Sequence, residues 1–250
     1  MRRVIDWVFT IPFLIGFGLT LGVFELIARV ARLFGLHPME VTIRVMQRIL
    51  LWLLRITGTR LEVERSPQIK SRTGYVLISN HQSMFDVPIF GGLLITNYPK
   101  YVAKRELGRW LPAVSFNLTH GGNALIDRDD PRQALRAIKD LGAECQERNT
   151  AVVIFPEGTR SRDGSLGEFR PSGTITLLKA APDLAVVPTT IDGSWALLRD
   201  RMFPVPFRTT IRVRFGDPVE RQSGENPVEL VERARAEIAA TLQGWRTRHQ

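Results

Sequence analysis

The chain has 250 residues, 44% hydrophobic and 24% charged, which allows one sizeable core and excludes both a disordered chain and a polytopic membrane protein. A single cysteine, Cys145, excludes a disulfide framework and any multi-cysteine metal site, and it suits a reducing compartment. The net charge of +9 calls for a polyanionic neighbour, either nucleic acid or an anionic membrane surface. The basic residues are dispersed, no zinc-finger spacing, helix-turn-helix cue or RNP-like sequence is present, and the first basic cluster flanks apolar segments. A membrane is therefore the expected partner, and no nucleic acid is.

Residues 7–24, WVFTIPFLIGFGLTLGVF, form an uncharged run between Asp6 and Glu25, about the length of a short bilayer span. A signal peptide after Arg2 and Arg3 is disfavoured, because the run is long and no small-x-small cleavage site follows. A transmembrane anchor and a helix dipped into one leaflet, paired with the next helix, both remain open. Lys and Arg on both flanks give no orientation. In residues 41–56, Arg44, Arg48 and Arg55 cluster on one helical face and Val45, Ile49, Trp52, Leu53 and Ile56 on the other. That pattern predicts a basic amphipathic helix lying in the membrane interface, or a surface helix packed on a core.

From Thr59 onward the pattern changes. Short β-branched or apolar runs at 75–79, 100–103, 123–126, 151–155, 184–191 and 210–215 alternate with helix-like stretches at 84–95, 131–148, 172–180 and 227–245. Pro131 after Asp129 and Asp130 marks a helix start, and Cys145 falls in an amphipathic pattern that predicts a buried structural thiol. The expected architecture is α/β, a single mixed sheet flanked by helices over 59–250, preceded by an N-terminal two-helix membrane motif over 1–58.

Four predicted strand ends carry chemistry, and strand ends are where ligand crevices form in open α/β sheets. In ISNHQSMFD an imidazole, His81, is followed five residues later by Asp86. Residues five apart lie about 140° apart around an α-helix. His81 must therefore precede the helix for a carboxylate to reach its ring and fix its tautomer, the arrangement of a general base and its orienting acid. After AVVIF comes FPEGTRSRDG, in which Pro156 and Gly158 allow a tight turn and Arg160 offers a fork of donors to a phosphate. Lys104 and Arg128 end two further strands. Such cations around His81 suit an anionic acceptor. Taken alone, each motif also reads as capping or as a solvated surface loop.

In their order, NHQSMFD, VAKREL, GGNALIDR, FPEGTRSRDG and VVPTTIDGS resemble the successive motifs of the glycerolipid acyltransferase family, over about residues 73–194. The resemblance implies that His81 and Asp86 carry the HxxxxD motif, and that Glu157, Gly158, Thr159 and Arg160 bind the acceptor phosphate, assisted by Lys104 and Arg128. It also implies a membrane-docking two-helix N-terminus and a place at the membrane (the cytoplasmic face of the inner membrane, if bacterial). The expected reaction moves a fatty acyl group from acyl-CoA or acyl-carrier protein to the sn-2 hydroxyl of lysophosphatidate, with no cofactor and no metal. Two departures touch the acyl or acceptor pocket: FRPSG at 169–173 is one residue longer than the usual stretch, and Ala113, Val114 and Ser115 follow Pro112 where a Gly is common.

No residue resembles an activated nucleophile, since Ser83 lies in no G-x-S-x-G elbow. His37, His120 and His249 are scattered, the first two reading as loop residues, and no metal-ligand spacing occurs. Another lysophospholipid or a lyso-ornithine lipid remains open as acceptor. A lipid hydrolase using the same pair with water, and a non-catalytic membrane-binding protein, are the rivals from other classes.

Overall fold

The computed structural model describes residues 2–199, 201–221 and 225–247; His249 lies outside them. The chain runs α1 (Arg2–Leu33), α2 (Leu36–Leu53), β1 (Arg60–Arg65), β2 (Tyr75–Ser79), α3 (Asp86–Leu93), β3 (Lys100–Lys104), α4 (Val114–His120), β4 (Ala124–Ile126), α5 (Pro131–Glu147), β5 (Val152–Ile154), α6 (Pro171–Ala180), β6 (Ala185–Asp192), β7 (Thr210–Phe215) and α7 (Pro227–Thr247). The sheet order is β1-β7-β6-β2-β5-β3-β4. Among the strands of the described residues β6 and β7 pair antiparallel and the other pairs are parallel, so this is a single mixed sheet.

Local chemistry explains the elements. β2 and β5 are buried throughout, and their YVLIS and VVI sequences are the near-continuous apolar runs that strands covered on both faces require. β7 alternates, burying Ile211, Val213 and Phe215. α5 starts where expected, with Asp130 accepting the Gln133 N–H at 3.0 Å and Pro131 in the first turn. β1 has no counterpart among the predicted runs. Its RLEVER sequence is exposed apart from Leu61, which packs part-buried on the main core, and its charges blunt a sheet edge. α4 is a second unpredicted element.

α1 buries Thr10, Phe13, Leu21 and Ala28 on one side and leaves Val8, Ile11, Ile15, Leu19, Val23, Leu26 and Val30 exposed on the other. Residues 3–33 are long and apolar enough to cross a membrane. Phe13 is fully buried and belongs to the main core with Leu54, Tyr75, Phe85 and Phe90, so the N-terminal helices and the sheet share one apolar interior.

α2 packs on the core, and of the three arginines expected on one polar face Arg44 turns inward while Arg48 and Arg55 stay exposed. Arg44 is buried, donating to Gln47 Oε1 at 2.5 Å and to the Pro99 carbonyl at 2.8 Å, and Arg48 reaches the Gly92 carbonyl at 2.9 Å. The exposed side carries Val41, Val45 and Trp52. Periodicity separates two faces but does not say which one points inward; here Arg44 finds a backbone acceptor beneath the helix beside the buried Ile43, Met46 and Leu50, while some apolar residues are left outside. His37 likewise lies in the first turn of α2 and His120 closes α4, so neither is a loop residue.

Candidate active site

β2, β3, β4, β5 and β6 are parallel to one another, so their carboxyl ends meet along one edge of the sheet. His81 follows β2, Lys104 ends β3, Arg128 follows β4, the 155–170 loop follows β5, and Gly193 and Ser194 follow β6. All the strand-end residues singled out in the sequence are thereby brought to one place.

His81 lies in an irregular turn before α3, and Asp86 is the first residue of that helix, which satisfies the angular condition. His81 Nδ1 is 2.8 Å from Asp86 Oδ2. The same oxygen accepts the Gln82 and Ser83 N–H groups at 2.7 and 2.9 Å, while Oδ1 accepts the Ser194 hydroxyl at 2.6 Å. With the Gln82 and Ser83 N–H groups and the Ser194 hydroxyl already donating to this buried carboxylate, Nδ1 is placed to donate as well, a tautomer that leaves Nε2 as the ring's acceptor. The imidazole stacks on Phe155, with centroids 4.0 Å apart and planes inclined by 18°, and it lines the cleft.

The loop after β5 is tied to His81 through its backbone. Ser161 N–H donates to the His81 carbonyl at 2.8 Å. Glu157 is buried, accepting the His81 N–H through Oε1 at 2.7 Å and the Gly167 N–H through Oε2 at 2.9 Å. Burial raises its pKa. The geometry departs here from the expected phosphate ligand: a carboxylate that repels phosphate and is occupied by backbone donors braces the loop. Gly158 has φ +66°, a left-handed conformation that favours glycine, and it faces open space where an anion can approach the backbone. The middle of the loop is held by Arg246 of α7, which donates to the Gly164 carbonyl at 2.6 Å. Asp163, exposed, is held down to about 2 by donors from Ser165 and Ser161.

One cleft of about 730 Å³ collects these groups. Lys104, Arg128, Gly158, Thr159 and Arg160 line it together with His81, and so does Arg170, a cation the sequence reading did not single out. Its signal was the basic residue in the lengthened FRPSG stretch, directly before Pro171 opens α6. The rest of the wall is apolar and reaches Phe17 and Leu21 of α1 and Met46 and Leu50 of α2. Asn80, also overlooked, clamps the end of β6 to the end of β2: its side chain donates to the Ile191 carbonyl at 2.8 Å and accepts the Ile191 N–H at 2.9 Å.

Neither candidate nucleophile is placed for the work. The buried Ser83 hydroxyl accepts the Phe85 N–H, and Cys145 lies in the core behind the sheet, its thiol pushed up to about 11 by burial. Among the described residues, no three His, Cys, Asp or Glu side chains converge as a metal-ligand set. An imidazole held through Nδ1 by Asp86, at the junction of a cationic and an apolar wall, is placed to deprotonate through Nε2 a hydroxyl carried by an anionic amphiphile.

The acyltransferase family model matches residues 60–192, which contain both members of the His–Asp pair and the loop after β5. The 1-acyl-sn-glycerol-3-phosphate acyltransferase of Pseudomonas aeruginosa is 31% identical over 199 residues, which cover 78% of this chain and 74% of that protein. The enzyme of the same name from Limnanthes douglasii is 32% identical over 167 residues, 66% of this chain and 56% of the plant protein, so the chain spans little more than half of that relative. Among solved structures, the 1-acyl-sn-glycerophosphate acyltransferase PlsC of Thermotoga maritima superposes with a TM-score of 0.79 over 98% of both chains; at 19% identity, that likeness speaks for the fold. With its matched segment coinciding with the strand ends that build the cleft, the chain belongs to the acyltransferase family and is an acyltransferase.

Proposed function

We propose that this acyltransferase moves a fatty acyl group from a thioester, on coenzyme A or acyl-carrier protein, to the sn-2 hydroxyl of 1-acylglycerol-3-phosphate, giving phosphatidate. The observation that carries the reading is the cleft itself. Its cationic wall of Lys104, Arg128, Arg160 and Arg170 suits the acceptor phosphate, and its apolar wall suits an acyl chain, with His81 between them. The names of the relatives from Pseudomonas and Limnanthes support the same acceptor.

Nε2 of His81 takes the hydroxyl proton as the oxygen attacks the thioester carbonyl, and Asp86 stabilises the imidazolium. The tetrahedral intermediate collapses, the C–S bond breaks, and the departing thiolate takes the proton from the imidazolium, so His81 ends as it began. No acyl-enzyme and no cofactor enter this scheme. We further propose that the exposed apolar face of α1 docks the protein on a phospholipid bilayer, which lets the acceptor's chain stay in the leaflet while its head group reaches the cleft.

The test uses the purified full chain in vesicles, labelled acyl-CoA against acyl-carrier protein, and a panel of lysolipids. Donor-dependent formation of phosphatidate from lysophosphatidate is the expected result. Preference for an uncharged or ornithine-based acceptor would overturn the phosphate reading, and release of free fatty acid without acylated product would point to a hydrolase.

A further inference from the structure

We infer that Ser194 is a positioning residue for the transfer, holding Asp86 through its hydroxyl so that the carboxylate keeps the imidazole aligned. This rests on the reading of His81 as general base.

The two oxygens of Asp86 are held by different parts of the chain. Oδ2 takes the His81 ring and the Gln82 and Ser83 N–H groups, all from the turn before α3. Oδ1 takes the Ser194 hydroxyl at 2.6 Å, from a residue 108 positions away. Ser194 and Asp86 are both 0% exposed. A carboxylate anchored through one oxygen alone can turn about its Cβ–Cγ bond; a donor on the second oxygen removes that freedom and offsets the cost of burying the charge.

The end of β6 is built to deliver this hydroxyl. Asn80 registers Ile191 against the end of β2, and Gln82 Nε2 donates to Asp192 Oδ1 at 3.2 Å. Gly193 then turns the chain with φ +89°, and a Cβ there would stand 2.1 Å from the Thr210 carbonyl oxygen, so only glycine fits. Ser194 follows at the start of a 3-10 turn, with its side chain directed at Asp86. The last of the sequence motifs, VVPTTIDGS, thus reaches the catalytic pair through its final residue.

The experiment compares Ser194→Ala and Ser194→Thr in the wild-type and Asp86→Asn backgrounds, with His81→Ala as reference, on the full chain. Ser194→Ala should lower kcat about 10- to 100-fold, as expected for a hydrogen bond to a charged group, with both KM values within about two-fold. Ser194→Thr should restore most of the loss. In the Asp86→Asn background Ser194→Ala should cost almost nothing more, because the group it acts on is already gone. The inference fails if Ser194→Ala keeps wild-type kcat per folded molecule, with or without a lower Tm, or if its loss is undiminished in Asp86→Asn. An active His81→Ala overturns the base assignment and this inference with it. An inactive His81→Ala beside an unaffected Ser194→Ala overturns this inference alone.

Discussion

The Glu157 carboxylate accepts the backbone N–H of His81 at 2.7 Å, which makes the loop after β5 and the turn after β2 one mechanical unit. With its other oxygen on the Gly167 N–H, Glu157 spans the loop that it belongs to. Glu157→Gln keeps one acceptor oxygen but turns an NH2 group toward a backbone donor, leaving a buried N–H unmatched at about 1–3 kcal/mol. Lower Tm together with loss of both kcat and acceptor affinity is the expected outcome. A change confined to acceptor KM, with stability intact, would return Glu157 to the phosphate.

For the pair itself, His81→Ala should reduce kcat by about 10²–10⁴-fold or more without altering the fold, as judged by circular dichroism and Tm. Asp86→Asn should also be severe, because an amide cannot accept from all four donors around it and favours the wrong imidazole tautomer. Activity within a few-fold of wild type in His81→Ala would remove the base assignment.

Arg160→Ala should raise KM for the phosphate-bearing acceptor about 10-fold or more and spare KM for the donor. Arg160→Lys keeps the charge but loses the fork, so partial recovery is expected. Arg170→Ala should act in the same direction, since Arg170 lines the same cationic wall. Steady-state kinetics with each substrate varied in turn decides this, and equal effects on donor and acceptor would reassign the wall.

Much of this arrangement was legible in the chain, and the misses have common causes. The strand over 210–215, the helix start at Pro131 and the placement of His81 before α3 follow from alternation, capping and helix angle, all local signals. β1 escaped because its alternation rests on two apolar residues only, Leu61 and Val63 among charges, at a largely exposed sheet edge. α4 is seven residues long and begins after Ala113 at φ +58°, in the very segment where the chain departs from the family pattern. Asn80 and Ser194 act across 111 and 108 residues, a proximity that only the β2–β6 pairing creates. The inward turn of Arg44 was hidden because its acceptor, the Pro99 carbonyl, is a backbone group.

Cys145 offers a simple check of the interior. With 1% exposure and its thiol pushed up to about 11 by burial, it should stay unreactive toward a thiol reagent in the native protein and react fully on unfolding. Rapid labelling of the folded chain would mean that the α5 side of the core opens.

Phe13→Ala and Ile15→Ala separate the two sides of α1. Phe13 packs tilted against Phe17 and Phe85, and its truncation should cost about 3–5 kcal/mol in detergent. Ile15 is exposed, so its truncation should leave Tm unchanged and weaken vesicle flotation only. Equal Tm values for the two variants would contradict the packing of α1.

Because Phe13 reaches the neighbourhood of Asp86 through Phe85, the first helix is an organ of the enzyme as well as its proposed mooring. A catalytic fragment cut free after residue 58 would lose an interior partner along with the apolar face proposed to dock it. Chimaeras that exchange the leading helices between relatives should therefore work only when the residues facing position 13 travel with them. Selection acting on the first helix is, by the same coupling, selection on the shape of the core.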